Sequence, residues 1–229
     1  MARRIWITRT EPGASATGAR VRALGHEPLI APLLAVQPLS DVVIDLAGVS
    51  TLAFTSANGV RAFVAASAAR AFQVFAVGAA TAKAARSLGF RHVLSSDGDV
   101  DALARGIIAR KRDVTGLVLH PGAVEPAGDL VGLLEAGGIR AQGLALYDTV
   151  STPLEAQALE AVSGVDAVLL HSPRAAQALA DLLLQNPMPH LRALCLSQAV
   201  MKPLAQTRLL AKTFAPMPLE AALLNLIDR

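Results

Sequence analysis

The chain has 229 residues, enough for one large domain or two small ones, and with 53% hydrophobic and 17% charged residues it is too apolar for intrinsic disorder. Aromatic residues make up only 3%, so a stacking platform for single-stranded nucleic acid is hard to assemble. The net charge of +3 lies entirely in residues 1–36, which carry five basic and two acidic residues, so there is no basic stripe for nucleic acid and the small surplus favours anionic ligands.

Short apolar runs alternate with alanine-rich helical patterns along the chain. The strand-like runs are 4–8, a weaker one at 28–32, 51–55, 74–77, 91–95, 117–120, 141–146, 166–171, 192–196 and 212–215. Helical patterns lie between them, for example at 59–69, 79–88, 99–110, 126–136, 174–185 and 218–228. This alternation predicts an α/β protein whose parallel sheets are covered by helices on both faces.

The chain also repeats itself. Residues 4–8 align with 116–120, residues 54–58 align with 170–174, and Asp101 aligns with Glu220. These alignments divide the chain into units A, B, A and B, in which A supplies two strands and B supplies three. Five strands make one doubly wound domain, so each domain combines one A with one B.

Two pairings of these units are possible. If each A pairs with the next B, the chain crosses between domains near 111–115, a stretch without glycine or proline. If the first A pairs with the last B, it crosses near 35–40 and 148–153, which contain Pro38 and Pro153. Proline and small polar residues are typical of linkers, which favours the second pairing without deciding it.

The single cysteine and the first residues of the chain bear on the compartment. Cys195 lies in an apolar run, so we expect it to be buried, and one cysteine allows no internal disulfide and no cysteine-based metal site. The first residues lack the apolar segment of a signal peptide, and no apolar stretch reaches the ~18 residues of a membrane span. We therefore expect a cytoplasmic protein without a membrane partner.

Small polar residues follow the predicted strands. In open α/β sheets, ligands bind beyond the carboxyl ends of the strands, where free N–H groups at helix N-termini favour anions. Helix capping is the alternative explanation for each hydroxyl residue taken alone. The candidate residues are Thr8, Arg9, Thr55, Ser56, Ala57, Asn58, Gly59, Gly78, Ala79, Ala80, Thr81, Ser172 and Ser197.

Nucleotide-binding motifs, histidines and acidic pairs say less about the function. Neither a dinucleotide-binding fingerprint nor a P-loop occurs, and the five histidines lack metal-ligand spacing. His120 and His171 each end a predicted strand, where either could reach a ligand. Asp97 and Asp99 precede a predicted helix, and capping is the simpler interpretation of that pair.

Tyr147 is the only tyrosine, and it borders the second possible crossing between domains. One interpretation is that its side chain faces a cleft between the domains. The other is a tyrosine packed at the hinge with its hydroxyl hydrogen-bonded. The sequence leaves both open.

Several short motifs occur in order along nearly the whole chain. They are Ile-Thr-Arg at 7–9, Leu-Gly at 24–25 with Pro32, Phe-Thr-Ser-Ala-Asn-Gly-Val at 54–60, Val-Gly-x-x-Thr-Ala at 77–82 with Gly89, Leu-x-x-x-Gly at 133–137, Tyr-Asp-Thr at 147–149 and Ser-Pro at 172–173. As a set they resemble the uroporphyrinogen-III synthase family, the cyclising enzymes of haem and tetrapyrrole synthesis.

The resemblance implies an α/β fold of two flavodoxin-like domains, each a doubly wound parallel sheet, joined by a two-stranded linker. The first domain would be discontinuous and hold both termini, which agrees with the second pairing. The boundaries expected from this are 1–36 plus 152–229 for one domain and 37–151 for the inserted domain, with the substrate cleft between them.

The resemblance also implies the chemistry. The substrate would be hydroxymethylbilane, a linear tetrapyrrole with eight carboxylates, which loses its terminal hydroxyl as water, inverts ring D and closes. The candidate strand-end residues would bind its carboxylates, with Arg9 adding charge, and Tyr147 would assist departure of the hydroxyl. No cofactor or metal is implied, and we expect a monomer without a nucleic-acid partner.

Two positions depart from the family's pattern. Val200 stands where many members have threonine in a Gly-x-x-Thr-Ala turn, although Ser197 could substitute for the lost hydroxyl. His171 stands where threonine is common. These departures leave two alternatives to an active synthase, namely a catalytically impaired paralogue and a two-domain protein that binds small anions.

Overall fold

The computed structural model describes residues 1–11, 13–96, 98–126 and 128–229. These residues form two compact units. The terminal unit contains Met1–Ala35 and Val150–Arg229, and the inserted unit contains Val36–Thr149. No helix in the described ranges combines the length and apolarity needed to cross a membrane.

Strands and helices alternate as the apolar pattern predicts. The strands are β1 (Arg4–Ile7), β2 (Glu27–Ile30), β3 (Leu34–Pro38), β4 (Val49–Phe54), β5 (Gln73–Val77), β6 (His92–Ser96), β7 (Leu117–Ala123), β8 (Ala141–Ser151), β9 (Ala167–Leu170), β10 (Arg192–Cys195) and β11 (Ala211–Phe214). The α-helices are α1 (Gly13–Ala23), α2 (Ala57–Ala66), α3 (Gly78–Ser87), α4 (Val100–Ala109), α5 (Leu130–Ala136), α6 (Ala156–Ser163), α7 (Pro173–Gln185), α8 (Gln198–Met201) and α9 (Glu220–Leu224). Short 3-10 helices occupy Lys111–Asp113 and Lys202–Leu204.

The sheet of the terminal unit draws its strands from both ends of the chain. Its order is β2, β1, β9, β10, β11, and all these neighbours pair in parallel. Numbered within the unit, this is the order 2-1-3-4-5 of a flavodoxin-like sheet. The direction of the chain order reverses between β1 and β9, which makes that position the switch point of the sheet.

The sheet of the inserted unit has a related strand arrangement with one strand added. It runs β3, β8, β7, β4, β5, β6, and the pairs from β8 to β6 are parallel. Numbered along the chain without β3, this is the order 3-2-1-4-5, and the switch point lies between β4 and β7. In the internal repeat β7 and β8 correspond to β1 and β2, so the two sheets have equivalent strands in the same positions although the chain visits them in a different order.

Each sheet has an apolar core on both faces because successive strand residues point to opposite sides. Trp6 packs in one core of the terminal unit, and its neighbours Ile5 and Ile7 pack in the other. The indole N–H of Trp6 donates to the carbonyl of Ala31 at 2.7 Å, which satisfies its polar atom. Cys195 is fully buried as expected, and burial raises the pKa of its thiol to about 12.

Phenylalanines fill one core of the inserted unit. The rings of Phe54, Phe63 and Phe90 lie with their centroids 6.0 to 6.2 Å apart in tilted and edge-on contacts. The guanidinium of Arg70 stacks 5.3 Å from the centroid of Phe90. Not every phenylalanine is in a core, since Phe214 in β11 is 42% exposed.

The sequence pattern missed one strand and misplaced several ends. Strand β3 lies in the segment expected as a linker, and β8 extends to Ser151 through the other linker segment. Helix α5 begins at Leu130 rather than 126 because Asp129 caps it, its carboxylate accepting from Gly132 N at 2.9 Å. Asp99 caps α4 in the same way, accepting from Ala102 N at 2.9 Å, whereas Asp97 lies outside the described residues.

Candidate functional site

The residues expected to bind a ligand follow the carboxyl ends of five strands. Arg9 comes after β1, Ser172 after β9 and Ser197 after β10, while Thr55 comes after β4 and Gly78 follows β5 directly. Because the strands of each sheet are parallel, these ends share one edge within each unit. The residues after β1 and β9, and after β4, therefore lie beside the switch points, where open α/β sheets bind ligands.

Ser56 and Tyr147 are brought together in the inserted unit. Ser56 is the N-cap of α2, and its hydroxyl oxygen accepts from the N–H of Gly59 at 3.1 Å. The same oxygen lies 3.0 Å from the Tyr147 hydroxyl, with either group able to donate. Tyr147 is 6% exposed, and its ring packs in an apolar core of the inserted unit while its hydroxyl makes the hydrogen bond with Ser56.

Gly59 owes its place in the first turn of α2 to a close backbone approach. A Cβ at this position would lie 2.7 Å from the carbonyl oxygen of Pro121 in β7. Any side chain here would push α2 away from the strand. Thr55, Ala57 and Asn58 lie around this turn and are half-buried.

The first turn of α3 is more open than that of α2. Val77 occupies the N-cap position and provides no side-chain hydrogen bond. Gly78 has a φ of +68°, a conformation that favours glycine, and a Cβ there would meet none of the residues that the structure describes within 4 Å. Ala79 and Ala80 are exposed. The first N–H groups of a helix have no partner within it, so this turn presents donors to an anion.

The threonine of this turn faces inward. Thr81 is 5% exposed, and Val200, the residue at the corresponding place in the terminal unit, is 3% exposed. Since both positions are buried, valine at 200 packs in the core, and its departure from threonine removes no exposed hydroxyl.

Hydroxyl groups in the terminal unit either donate to a neighbouring strand or cap the helix that follows them. Thr8 is fully buried and donates to the carbonyl of Leu169 at 2.8 Å. Ser172 caps α7 by accepting from Ala175 N at 3.2 Å, and Ser197 caps α8 by accepting from Val200 N at 3.4 Å. The capping explanation therefore describes what these two serines do in the structure.

Arg9 belongs to a cluster that the sequence pattern did not identify. Its Nη1 donates to the Thr17 hydroxyl at 3.4 Å and lies 3.7 Å from Oε1 of Glu220. Glu220 also bonds Thr17 and Arg20, and its Oε1 lies 4.0 Å from Nε2 of His171. The only sequence signal for Glu220 was its alignment with Asp101 in the repeat.

Burial and charge shift the acids and bases of this cluster. Burial lowers the pKa of Arg9, an effect that the charge of Glu220 opposes. Burial raises the pKa of Glu220, but the Thr17 hydrogen bond and the nearby arginines outweigh it and leave that pKa below its usual value. Burial, followed by the charge of Arg9, lowers the pKa of His171 to about 4, so its imidazole is neutral at pH 7.

His120 lies in the middle of β7, which continues to Ala123, so the prediction that it ends its strand is wrong. It is 4% exposed. Its Nδ1 is 2.8 Å from the carbonyl oxygen of Ala53, and burial lowers its pKa despite that contact. Across residues 1–11, 13–96, 98–126 and 128–229, no group of three or more histidine, cysteine or acidic side chains has the arrangement to hold a metal ion.

A comparison with protein families identifies the chain. The family model of uroporphyrinogen-III synthase HemD matches residues 15–225. The chain belongs to the uroporphyrinogen-III synthase HemD family. It is therefore a cyclising lyase of tetrapyrrole synthesis, and its substrate is a tetrapyrrole. No curated protein sequence matches the chain.

Solved structures of uroporphyrinogen-III synthases share its fold. Uroporphyrinogen-III synthetase from Helicobacter pylori is 16% identical with a TM-score of 0.70, and the match covers 100% of this chain and 99% of that one. A mutant uroporphyrinogen III synthase from the extremely thermophilic bacterium Thermus thermophilus is 17% identical with a TM-score of 0.52, covering 99% and 98%. These likenesses confirm the predicted α/β class with parallel sheets.

The candidate residues offer many weak hydrogen-bond donors and few strong acids or bases. A tetrapyrrole with carboxylate side chains can be held by backbone N–H groups, hydroxyls and Arg9, all of which favour anions. Such an arrangement suits catalysis by orientation, where well-placed groups supply ~7–11 kcal/mol of the barrier reduction.

Proposed function

We propose that this synthase converts hydroxymethylbilane into uroporphyrinogen III by holding it in the geometry that inverts ring D. The substrate loses its terminal hydroxyl, and the carbon that carried it bonds to the substituted α-carbon of ring D, giving a spiro intermediate. The older bond from that α-carbon to the neighbouring methylene then breaks and re-forms at the free α-carbon of ring D, whose proton leaves, so that water is lost overall and the macrocycle closes with ring D inverted. Closure without inversion needs no enzyme, so the protein has to select a conformation. The observation that carries the proposal is the open, positive-φ first turn of α3 beside the capped turn of α2.

We propose that carboxylates of the substrate bind at these two turns of the inserted unit. Strands β4 and β5 are neighbours, so the turns that follow them, 55–59 and 78–81, lie side by side. In α2 the Gly59 N–H already donates to Ser56, which leaves the earlier N–H groups of that helix for a ligand. At α3 the exposed Ala79 and Ala80 leave the backbone accessible.

In the terminal unit, we propose that Arg9 supplies the positive charge that attracts a substrate carboxylate. Its side chain is 36% exposed, which lets the guanidinium pair with a carboxylate. Thr8, Ser172 and Ser197 take part by fixing the strand ends, and their contact with substrate is through backbone. We also propose that the protein is a cytoplasmic monomer without a nucleic-acid partner, and the balanced charge outside residues 1–36 supports only the last of these points.

Tyr147 is the proposed hydrogen-bond donor to the departing hydroxyl. The Ser56 oxygen 3.0 Å away holds the phenol in one orientation. A phenol aligned in this way stabilises the leaving oxygen without being fully ionised. The Ser56–Tyr147 contact thus couples the carboxylate-binding turn to the group that assists the reaction.

The isomer ratio of the product tests this proposal. Freshly made hydroxymethylbilane is added to the protein, the products are oxidised, and type I and type III uroporphyrin are separated. We expect type III to predominate, with type I alone in the protein-free control. Type I alone in both samples would contradict the proposal and favour an impaired paralogue, and saturable binding without turnover would favour a small-anion-binding protein.

A further inference from the structure

Glu220 is the centre of a charged cluster in the terminal unit. It is the first residue of α9, and its side chain is 23% exposed. One carboxylate oxygen accepts from the Thr17 hydroxyl, and the other accepts from the Arg20 guanidinium. Thr17 and Arg20 both lie in α1, so Glu220 ties α9 to the helix that follows Arg9.

These contacts fix the side chain of Arg9. Its Nη1 donates to Thr17, the same hydroxyl that donates to Glu220, and lies 3.7 Å from Glu220 itself. On another side the guanidinium rests on Gly13, where a Cβ would lie 2.4 Å from Nε and 2.7 Å from Nη2. Arg9 is thus held by α1 and α9 and remains 36% exposed.

The charge of the cluster suits a single anion. Arg9 and Arg20 are cationic and Glu220 is anionic. His171, the fourth titratable side chain of the cluster, is neutral at pH 7. The four together carry one positive charge, beside the switch point between β1 and β9. An arginine held in place loses less side-chain entropy when it pairs with a carboxylate than a mobile one does.

We propose that Glu220 is a positioning residue that, through Thr17, holds the Arg9 guanidinium where it receives one carboxylate of the substrate. The inference rests on the proposed function, because the ligand is a side-chain carboxylate of hydroxymethylbilane. Glu220 itself does not touch the substrate. Its effect on binding passes through Arg9.

A double-mutant cycle tests this role. We expect Arg9→Met to raise KM for hydroxymethylbilane about tenfold or more, since a charge-assisted hydrogen bond is lost. Glu220→Gln keeps the size of the side chain and should raise KM about threefold to tenfold, with kcat changed less than about twofold. In the double variant, KM should equal that of Arg9→Met alone, because Glu220 acts only through Arg9.

The matched control is Asp101→Asn. Asp101 is the residue that aligns with Glu220 in the repeat and is an exposed acid in the first turn of α4. We expect this variant to keep both KM and kcat. The wild-type protein is assayed first, so that absence of type III product tests the proposed function and not the role of Glu220.

An unchanged or lowered KM in Glu220→Gln would overturn the proposal, as would a KM increase that adds to that of Arg9→Met. If Glu220→Gln does not fold, Gly13→Ala probes the same guanidinium from its other side. The nearest described atoms to the new Cβ belong to the flexible end of Arg9, so its displacement should raise KM without lowering stability. A KM equal to that of wild type in Gly13→Ala would then overturn the proposal.

Discussion

The hydrogen bond between Tyr147 and Ser56 joins a packed ring to a helix cap. In Tyr147→Phe the ring still packs and Ser56 still caps α2. We expect the rate of type III formation to fall about tenfold without vanishing, because one donor to the leaving oxygen is lost while orientation remains. Steady-state rates with isomer analysis measure this.

Ser56→Ala is the matched comparison for that variant. It removes the cap as well as the partner of Tyr147, so stability should fall by about 1 kcal/mol. A Tyr147→Phe variant with the full wild-type rate would contradict the role of the phenol.

His171 makes stability depend on pH. The unfolded chain binds a proton at this residue below about pH 6.5, whereas the folded protein binds it only near its pKa of about 4. Lowering the pH through this window therefore favours the unfolded state, and we expect the free energy of unfolding to fall by about 2 kcal/mol between pH 7 and pH 5. Urea unfolding at both values measures the change, to which His120 adds in the same direction.

The control for this pH effect is His171→Gln, because the glutamine side chain does not take up a proton in this pH range. Its stability should fall less over the same interval. An equal fall in both proteins would show that His171 is not buried in its neutral form.

Residues whose contacts are local were predictable from sequence, and residues whose contacts are distant were not. Three serines cap the helices that begin at the next residue, and each accepts a hydrogen bond from the N–H three residues later. They are Ser56, Ser172 and Ser197. Glu220 bonds Thr17 and Arg20 across 203 and 200 residues, so no local pattern could connect them. A capping serine leaves the other N–H groups of the first helical turn without a partner. Whether those groups are exposed to a ligand depends on the tertiary structure and cannot be predicted from the sequence.

At the scale of elements, the approach of α2 to β7 sets the shape of one binding turn. Gly59→Ala places a Cβ 2.7 Å from the backbone oxygen of Pro121, and neither backbone can move freely. We expect a loss of about 1–3 kcal/mol in the free energy of unfolding, as in overpacked cores. Denaturant titration measures it.

Gly143→Ala in β8 is the matched control for that substitution. Its Cβ would meet Val131 at 3.7 Å, an ordinary contact, and the position is exposed. Equal stability of the two alanine variants would contradict the close approach of α2 and β7.

The open first turn of α3 is tested by an added charge. In Ala79→Glu a carboxylate competes with the substrate for the same N–H groups and repels it. We expect KM to rise roughly tenfold. The helix should be no less stable, because an acid at its N-terminus is favourable.

Ser87→Glu puts the same charge at the far end of α3 and should leave KM unchanged. Equal KM values for the two glutamate variants would exclude the first turn of α3 as a carboxylate site.

The elements that the sequence predicted well are those buried on both faces. Strands such as β4, β5 and β10 contain the apolar runs Leu-Ala-Phe, Val-Phe-Ala-Val and Ala-Leu-Cys. Strand β3 was missed because it is a half-buried edge strand with a proline, and its neighbour β8 lies more than 100 residues later. Its pairing depends on the tertiary structure and not on a local pattern.

At the scale of the whole molecule, both units repeat one plan. The strand orders are 2-1-3-4-5 in the terminal unit and 3-2-1-4-5 in the inserted unit, and they coincide when β7 and β8 are matched to β1 and β2 through the repeat. In both units candidate residues follow strands beside the switch point. The internal repeat predicted two sheets of related design. It could not decide which A unit joins which B unit, because that depends on contacts between strands such as β1 and β9, about 160 residues apart.

The central claim is that this synthase works by orienting its substrate and not by acid–base catalysis at neutral pH. His120 in β7, His171 after β9 and Glu220 in α9 all have their pKa values shifted downward, away from neutrality. The most direct measurement is the rate of type III formation as a function of pH between about 6.5 and 8.5. We expect the rate to change by less than about twofold across that range. A bell-shaped profile with an apparent pKa near 7 would contradict the claim.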